Sequence, residues 1–388
     1  MFKRIMQREL ERAAKQLPIV TILGPRQSGK TTLVRQTFPN KPYVNMELLH
    51  LRDLAKNDPV AFLERYPEGA IFDEIQEVPS LLSYIQVRVD ENQKKGEFIL
   101  TGSHQVELNE AISQSLAGRT EILHLLPLSL EELSLAGVEK PLDTLLYEGF
   151  YPRIHLDQLN PTKTYASYIQ TYIERDIRKL LKVHDLDLFQ KFLKLCASRV
   201  GQILNKDGLA GDVGVSSRTI GHWLSILESC YIIYRLSPYF ENFGKRVVKS
   251  PKIYFCDVGL VAYLLGIETV EQMARDPLKG NLFENLVVNE LMKARYNRGL
   301  DPHLYFYQVA GRNEIDLIYQ RGHELVPIEI KSARTFNSSF LTGIKSFKKI
   351  APDRYTDPYL VYSGDEEMKL GDIQLINYRN SARIVEQV

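Results

Sequence analysis

An apolar run, residues 18–23, leads directly into Gly24-Pro25-Arg26-Gln27-Ser28-Gly29-Lys30-Thr31 and then into a helical pattern carried by Leu33, Val34 and Phe38. Strand, glycine loop and helix in this order match G-x-x-x-x-G-K-[ST] in the context that gives the pattern its meaning. Gly24 and Gly29 allow the backbone to curl with its N–H groups pointing inward, and the helix N-terminus adds a positive dipole. The expected occupant is the phosphate tail of ATP, held by Gly24, Pro25, Arg26, Gln27, Ser28, Gly29, Lys30, Thr31 and Thr32. Lys30 can reach the β- and γ-phosphates, and Thr31 can ligate Mg²⁺.

A phosphate loop of this kind requires an acidic strand nearby. Ala70-Ile71-Phe72-Asp73-Glu74 is an apolar run ending in two carboxylates. Asp73 is expected to hold Mg²⁺ through water and Glu74 to polarise the attacking water. A further strand, Phe98-Ile99-Leu100-Thr101, ends in Gly102-Ser103-His104. Its end hydroxyl, Ser103, is the candidate sensor of the γ-phosphate, with Thr101 behind it, whereas His104 reads as a loop residue. A strand at Tyr43–Met46 and helical stretches near 59–66 and 80–93 complete an alternation that predicts a parallel sheet flanked by helices. Ser115-Leu116-Ala117-Gly118-Arg119 precedes another apolar strand, Glu121–Leu126. Arg119 reads either as a surface charge or as an arginine finger acting in trans on a neighbouring subunit of a homo-oligomer.

Composition sets the outer limits. The 388 residues, 44% hydrophobic and 25% charged, have the balance of two or three globular domains, and a net charge of +1 provides no chain-wide attraction for nucleic acid. Contact with DNA must therefore come from local patches. Cys196, Cys230 and Cys256 are widely spaced within apolar sequence and read as buried thiols, not as a disulfide frame or zinc site. No apolar run is long enough to span a membrane, and the charged start MFKRIMQRELERAAKQ is unlike a secretory signal. The expectation is a cytoplasmic protein with no membrane partner.

In the middle of the chain Tyr165, Tyr168, Ile169, Tyr172, Ile173, Ile177, Leu180 and Leu181 recur at helical spacing, which predicts one amphipathic helix over 163–182 with its tyrosines on the core side. Glu174, Arg175 and Asp176 lie on it with no chemistry to assign. Residues 205–240 read as helix, glycine turn, helix and wing strands. Ile220, Trp223, Leu224 and Leu227 face inward, while Ser216, Ser217, Arg218, Thr219 and His222 are free for contact with DNA or with a protein. Lys245, Arg246, Lys249 and Lys252 add local positive charge suited to phosphates.

Near the C-terminus NEIDLIYQ, a turn at RGHE and VPIEIK read as a hairpin. Side chains alternate along strands, so Glu329 and Lys331 share a face and Asp316 can join them. Upstream, Glu284 lies on an amphipathic helix. This set resembles the PD-(D/E)xK nuclease fold, although Ile315 stands where that pattern has proline. The resemblance implies a metal site of Glu284, Asp316 and Glu329, with Lys331 positioning or activating water.

ILGPRQSGKTTL, IFDEIQEVP, FILTGSHQ, SLAGRT and LPLSLEE, in this order, resemble the AAA-type ATPase domain of a large prokaryotic group with a C-terminal domain called DUF4143. GFYPRI, YIERDI, KSPKIYFCDVGL, GNLFENLVVNEL, NEIDLI and PIEIKSA continue the likeness over nearly the whole chain. The fold class this implies is α/β. A P-loop NTPase domain of the ASCE type (1–135) is followed by a helical connector (136–195), a winged-helix-like domain (196–240) and a restriction-endonuclease-like domain (241–388). The expected function is a Mg²⁺-dependent ATPase that acts on DNA. The alternative is a non-cutting, ATP-gated regulatory or scaffold protein with an inactive C-terminal binding module.

Overall fold

The computed structural model describes residues 2–103, 112, 114–173, 186–240, 248–309 and 312–386. His104, Glu174, Arg175, Asp176, Lys245 and Arg246 lie outside them. Two compact units are present: Met1–Leu128 with Tyr296–Leu300, and Ser129–Arg295 with Asp301–Val388. Among the described residues no helix is long and apolar enough to cross a membrane, and the three cysteines are buried and form no disulfide.

In the first unit the elements run α1 (Gln7–Gln16), β1 (Ile19–Leu23), α2 (Lys30–Thr37), β2 (Tyr43–Asn45), α3 (Leu49–Asn57), α4 (Pro59–Glu64), β3 (Ala70–Asp73), α5 (Leu81–Asn92), β4 (Phe98–Gly102) and β5 (Thr120–His124). The expected strands and helices are present, with ends shifted by one or two residues. The five strands form one parallel sheet in the order β2-β3-β4-β1-β5. Every residue of β1, β3 and β4 is buried, as befits parallel strands covered on both faces. Leu10 and Ala13 of α1, Leu33 and Val34 of α2, and Val20, Ile22, Ile71, Ile99 and Leu123 of the sheet share one core. The order places β4 between the loop-bearing β1 and the acidic β3. Three strand ends therefore emerge together at the carboxyl edge, where open α/β sheets bind ligands.

The second unit begins its larger helices with α6 (Pro161–Tyr168), α7 (Leu186–Ala197), α8 (Lys206–Val213) and α9 (Ser217–Ser229). Of the single helix expected over 163–182, the described part is α-helical through Tyr168 and π-helical over Ile169–Ile173, and residues 174–182 lie outside the described residues. Tyr165, Tyr168 and Tyr172 are buried, and Tyr151 donates to Tyr168 at 3.0 Å. These aromatic rings pack as core. A turn through Gly214, at φ 93°, joins α8 to α9. Ser216 Oγ caps α9 by accepting from Thr219 N at 3.1 Å, and Ile220, Trp223, Leu224 and Leu227 are buried.

β6 (Ile233–Leu236) pairs antiparallel with β7 (Lys252–Phe255), so the two-stranded ribbon after α9 extends past residue 240. α10 (Val258–Leu264) and α11 (Lys279–Tyr296) follow. Next come β8 (Leu304–Val309), β9 (Arg312–Arg321), β10 (Glu324–Lys331), α12 (Thr342–Ile350), β11 (Tyr359–Tyr362), β12 (Met368–Leu370) and β13 (Ile373–Asn377). These strands make a mixed sheet in the order β12-β13-β11-β10-β9-β8. β8, β9 and β10 run antiparallel, while β11 joins β10 in parallel. Ile344 and Phe347 of α12 pack with Ile315, Ile318 and Leu360 over one face.

Candidate functional sites

The loop between β1 and α2 depends on both of its terminal glycines. A Cβ on Gly24 would stand 2.1 Å from the Leu125 carbonyl oxygen, and Gly29 enters α2 at φ 95°. Ser28 is fully buried, and its carbonyl oxygen accepts from Arg4 Nη1 at 2.6 Å. Arg4 Nη2 donates to Leu126 O at 2.7 Å, so one guanidinium ties the loop to the chain just beyond β5. Lys30 Nζ turns back over the loop and donates to Gly24 O at 2.9 Å and Pro25 O at 2.8 Å. Burial lowers its pKa, opposed by Glu74 and Asp73. Arg26 lies 3.7 Å from Glu47. Gln27 adopts φ 62° within the turn, and Thr32 is exposed on the first turn of α2.

At the end of β3 the Asp73 carboxylate collects three hydroxyls: Thr31 at 2.9 Å, Tyr43 at 2.7 Å, and Thr101. Thr101 Oγ1 also accepts from Glu74 N at 3.2 Å, which links the two carboxylate residues through β4. Glu74 itself takes a left-handed φ of 57°, a strained setting for a residue with a Cβ. That turn carries its side chain toward the end of β4, where Oε2 accepts from Ser103 Oγ at 3.0 Å and from Gln76. Burial works to raise the Glu74 pKa, but Lys30, Gln76, Arg26 and Ser103 outweigh it and hold the carboxyl below its ordinary value. Glu74 is thus held as an ionised acceptor beside the loop lysine.

Lys30, Thr31, Asp73, Glu74, Thr101 and Ser103 are brought together as their spacing along the sheet edge suggests. Arg4, Tyr43 and Gln76 belong to the same site and were not singled out from sequence. Tyr43 offered one signal, as an aromatic residue opening the strand beside the acidic one. Arg119 stands apart from this group: its Nε and Nη2 donate to Asp90 Oδ1 at 2.6 Å and Oδ2 at 2.8 Å, a two-pronged exposed ion pair with α5.

In the second unit the hairpin β9–β10 joins Asp316, Glu329 and Lys331. Lys331 Nζ lies 3.1 Å from Asp316 Oδ2 and 2.6 Å from Glu329 Oε1, and Asp316 Oδ2 also accepts from Ile330 N at 2.8 Å. Glu284 of α11 does not complete a three-carboxylate cage with them. Its Oε1 accepts instead from Lys252 Nζ at 3.0 Å and from the Tyr254 hydroxyl, both on β7. Lys252 also reaches Glu314 at 2.6 Å. Among the described residues no group of three or more His, Cys, Asp or Glu side chains is arranged to hold a metal ion. Carboxylates and ammonium groups alternate here: Lys252 pairs with Glu284 and Glu314, and Lys331 with Asp316 and Glu329. Burial pushes the Glu329 carboxyl up to about 8, with Asp316 raising it further against the opposing pull of Lys331. Burial likewise raises Glu284, despite Lys252.

On α9, Arg218 and His222 are exposed one turn apart, whereas Ser217 Oγ donates to Asp207 and the Thr219 hydroxyl pairs with Ser216 Oγ at 2.8 Å. Three of the five proposed contacts, Ser216, Ser217 and Thr219, are therefore already engaged in local hydrogen bonds.

Several family motifs without assigned chemistry meet at Asp257. Its carboxylate accepts from Phe150 N at 2.7 Å, Tyr165 OH at 2.6 Å and Leu260 N at 3.1 Å. A Cβ on Gly149 would fall 2.2 Å from the Tyr165 hydroxyl oxygen. GFYPRI and CDVGL thus form a structural knot.

The parallel sheet, glycine loop and acidic strand are those of a P-loop nucleotide-binding fold. Residues 16–134 match the family model of the AAA domain, and residues 279–380 match that of a domain of unknown function, DUF4143. These two matches support an AAA-type ATP-binding protein with a C-terminal DUF4143 domain. Residues 139–271 match a further domain of unknown function, DUF8612.

An uncharacterized protein of Mycobacterium tuberculosis is 29% identical over 94% of this chain and 80% of its own length. One of Haemophilus influenzae is 24% identical over 86% of this chain and 88% of its own. Among solved structures, a Walker-type ATPase of Pyrococcus abyssi aligns with a TM-score of 0.46 at 14% identity, covering 68% of this chain and 96% of that one.

Proposed function

We propose that the first unit hydrolyses ATP with Mg²⁺, and that Glu74 polarises the attacking water. The observation that carries this reading is the state of Glu74: ionised, held by Ser103 and Gln76, and one residue beyond Asp73. Thr31 and Asp73 are hard oxygen donors already in contact, a set suited to Mg²⁺. The ion supplies charge neutralisation on the β- and γ-phosphates when bound. Lys30 exchanges the Gly24 and Pro25 carbonyls for phosphate oxygens, and Ser103 keeps Glu74 oriented. Arg119 serves a neighbouring copy of the chain once freed from Asp90. Lys30→Ala is expected to abolish hydrolysis in a purified full-length chain; retained turnover would sink the assignment.

For the C-terminal cleft we favour a non-cutting binding module over a nuclease, because Lys252, a cation outside the expected set, already takes oxygens of Glu284 and Glu314. Arg218 and His222 provide an exposed place for nucleic acid on α9. A panel of DNA and RNA with Mg²⁺ or Mn²⁺, with and without ATP, separates these readings. Binding without cleavage supports the module. Cleavage lost in Glu329→Ala and Lys331→Ala restores the nuclease.

A further inference from the structure

Lys252 belongs to no motif position expected of this cleft, yet it is its most enclosed charged group. Its side chain is 4% exposed, against 15% for Glu284, 39% for Glu314 and 31% for Lys331. Its ammonium lies 3.0 Å from Glu284 and 2.6 Å from Glu314, and 5.5 Å from the centroid of the Phe306 ring, whose face is also attractive to a cation. Tyr254, two residues along β7 and therefore on the same face, donates to the same Glu284 oxygen.

The strand presenting both is fixed from two sides. β7 pairs with β6, with Leu236 opposite Lys252. On its other edge Leu204 N donates to Pro251 O at 2.8 Å, Ile253 N to Gln202 O at 3.1 Å and Gly201 N to Ile253 O at 2.8 Å.

We propose that Lys252 is the resident counter-cation of the cleft, holding the place among Glu284, Glu314 and Asp316 that a divalent metal would otherwise take, so that the cleft excludes divalent metal. This rests on reading the cleft as a nuclease-like arrangement of carboxylates. The reason is electrostatic: carboxylates already neutralised by a tethered ammonium attract a divalent ion less, and the lysine does not dissociate into solution. A cleft neutralised in this way keeps its shape and charge pattern for binding while lacking the Lewis acid that phosphodiester cleavage would use.

The test is Mn²⁺ binding to the full-length chain without nucleotide, read by electron paramagnetic resonance. Asp73→Asn is introduced throughout to silence the ATP site. With Lys252 present, no bound Mn²⁺ sensitive to a Glu284→Gln and Asp316→Asn pair is expected. Lys252→Gln should gain one such ion per chain, whereas Lys252→Arg should not. Wild-type Lys252 chains that already bind an ion removed by that pair would overturn the proposal while leaving the nuclease-like reading standing. A folded Lys252→Gln chain that binds none would overturn both. Circular dichroism identifies a variant that has not folded, and the Lys252-bearing arm still decides the proposal in that case.

Discussion

Ser103 donates its hydroxyl to Oε2 of Glu74 at 3.0 Å, joining the ends of two adjacent strands of the parallel sheet. Ser103 is fully buried, so the contact orients the carboxylate without help from bulk water. Ser103→Ala is expected to lower the turnover of ATP by roughly tenfold to a hundredfold with ATP affinity changed by no more than about twofold. Steady-state kinetics beside nucleotide titration checks this; a loss confined to affinity would place Ser103 outside hydrolysis.

Arg119 and Asp90 make an exposed two-pronged pair within one chain. If Arg119 works in a neighbouring copy, Asp90 competes for it. Asp90→Ala is then expected to raise the ATPase rate at high protein concentration, and Arg119→Ala to abolish the concentration dependence. Both should fold as wild type does, since exposed pairs contribute little to stability. Specific activity measured over a dilution series provides the readout, and a flat series for wild type would leave Arg119 as a surface charge.

Gly24 packs where its Cβ would meet the Leu125 carbonyl oxygen at 2.1 Å. The obstructing atom is backbone, so Gly24→Ala must displace the loop from the end of β5. A loss of about 1–3 kcal/mol in unfolding free energy is expected, with weaker nucleotide binding. Denaturant melts with and without ATP would show both effects. An alanine variant as stable as wild type would contradict the close approach.

Burial raises the Glu329 carboxyl to about 8, from an unfolded value near 4.5. The folded form therefore holds a proton that the unfolded chain has released. Its stabilising effect is complete below the unfolded value and is lost as pH rises through about 8. Glu329→Gln is expected to gain melting temperature over wild type between pH 5 and 8, with the gap constant above that range. A gap that does not change with pH would show that the carboxyl ionises freely in the fold.

Short-range signals in the sequence were sufficient for some of this protein. The glycine loop, the Asp73-Glu74 strand end, the helix pair around Ser216 and the hairpin bearing Asp316 and Glu329 all follow from patterns a few residues long. Those patterns work because backbone geometry repeats every 2 or about 3.6 residues. The helix expected over 163–182 marks the limit: its described part passes from α-helix into a π-helical turn at Ile169, which the apolar pattern does not signal.

The tertiary structure alone decided which distant groups share one carboxylate or carbonyl. Arg4 reaches Ser28 and Leu126, 24 and 122 residues away, and Tyr43 reaches Asp73 across a strand pair. In the C-terminal cleft the sequence specified the carboxylates, and the fold brought Lys252 from another sheet to stand between Glu284 and Glu314. Charge type is written in each residue, but the partner that neutralises it depends on distance, and distance is a property of the folded chain.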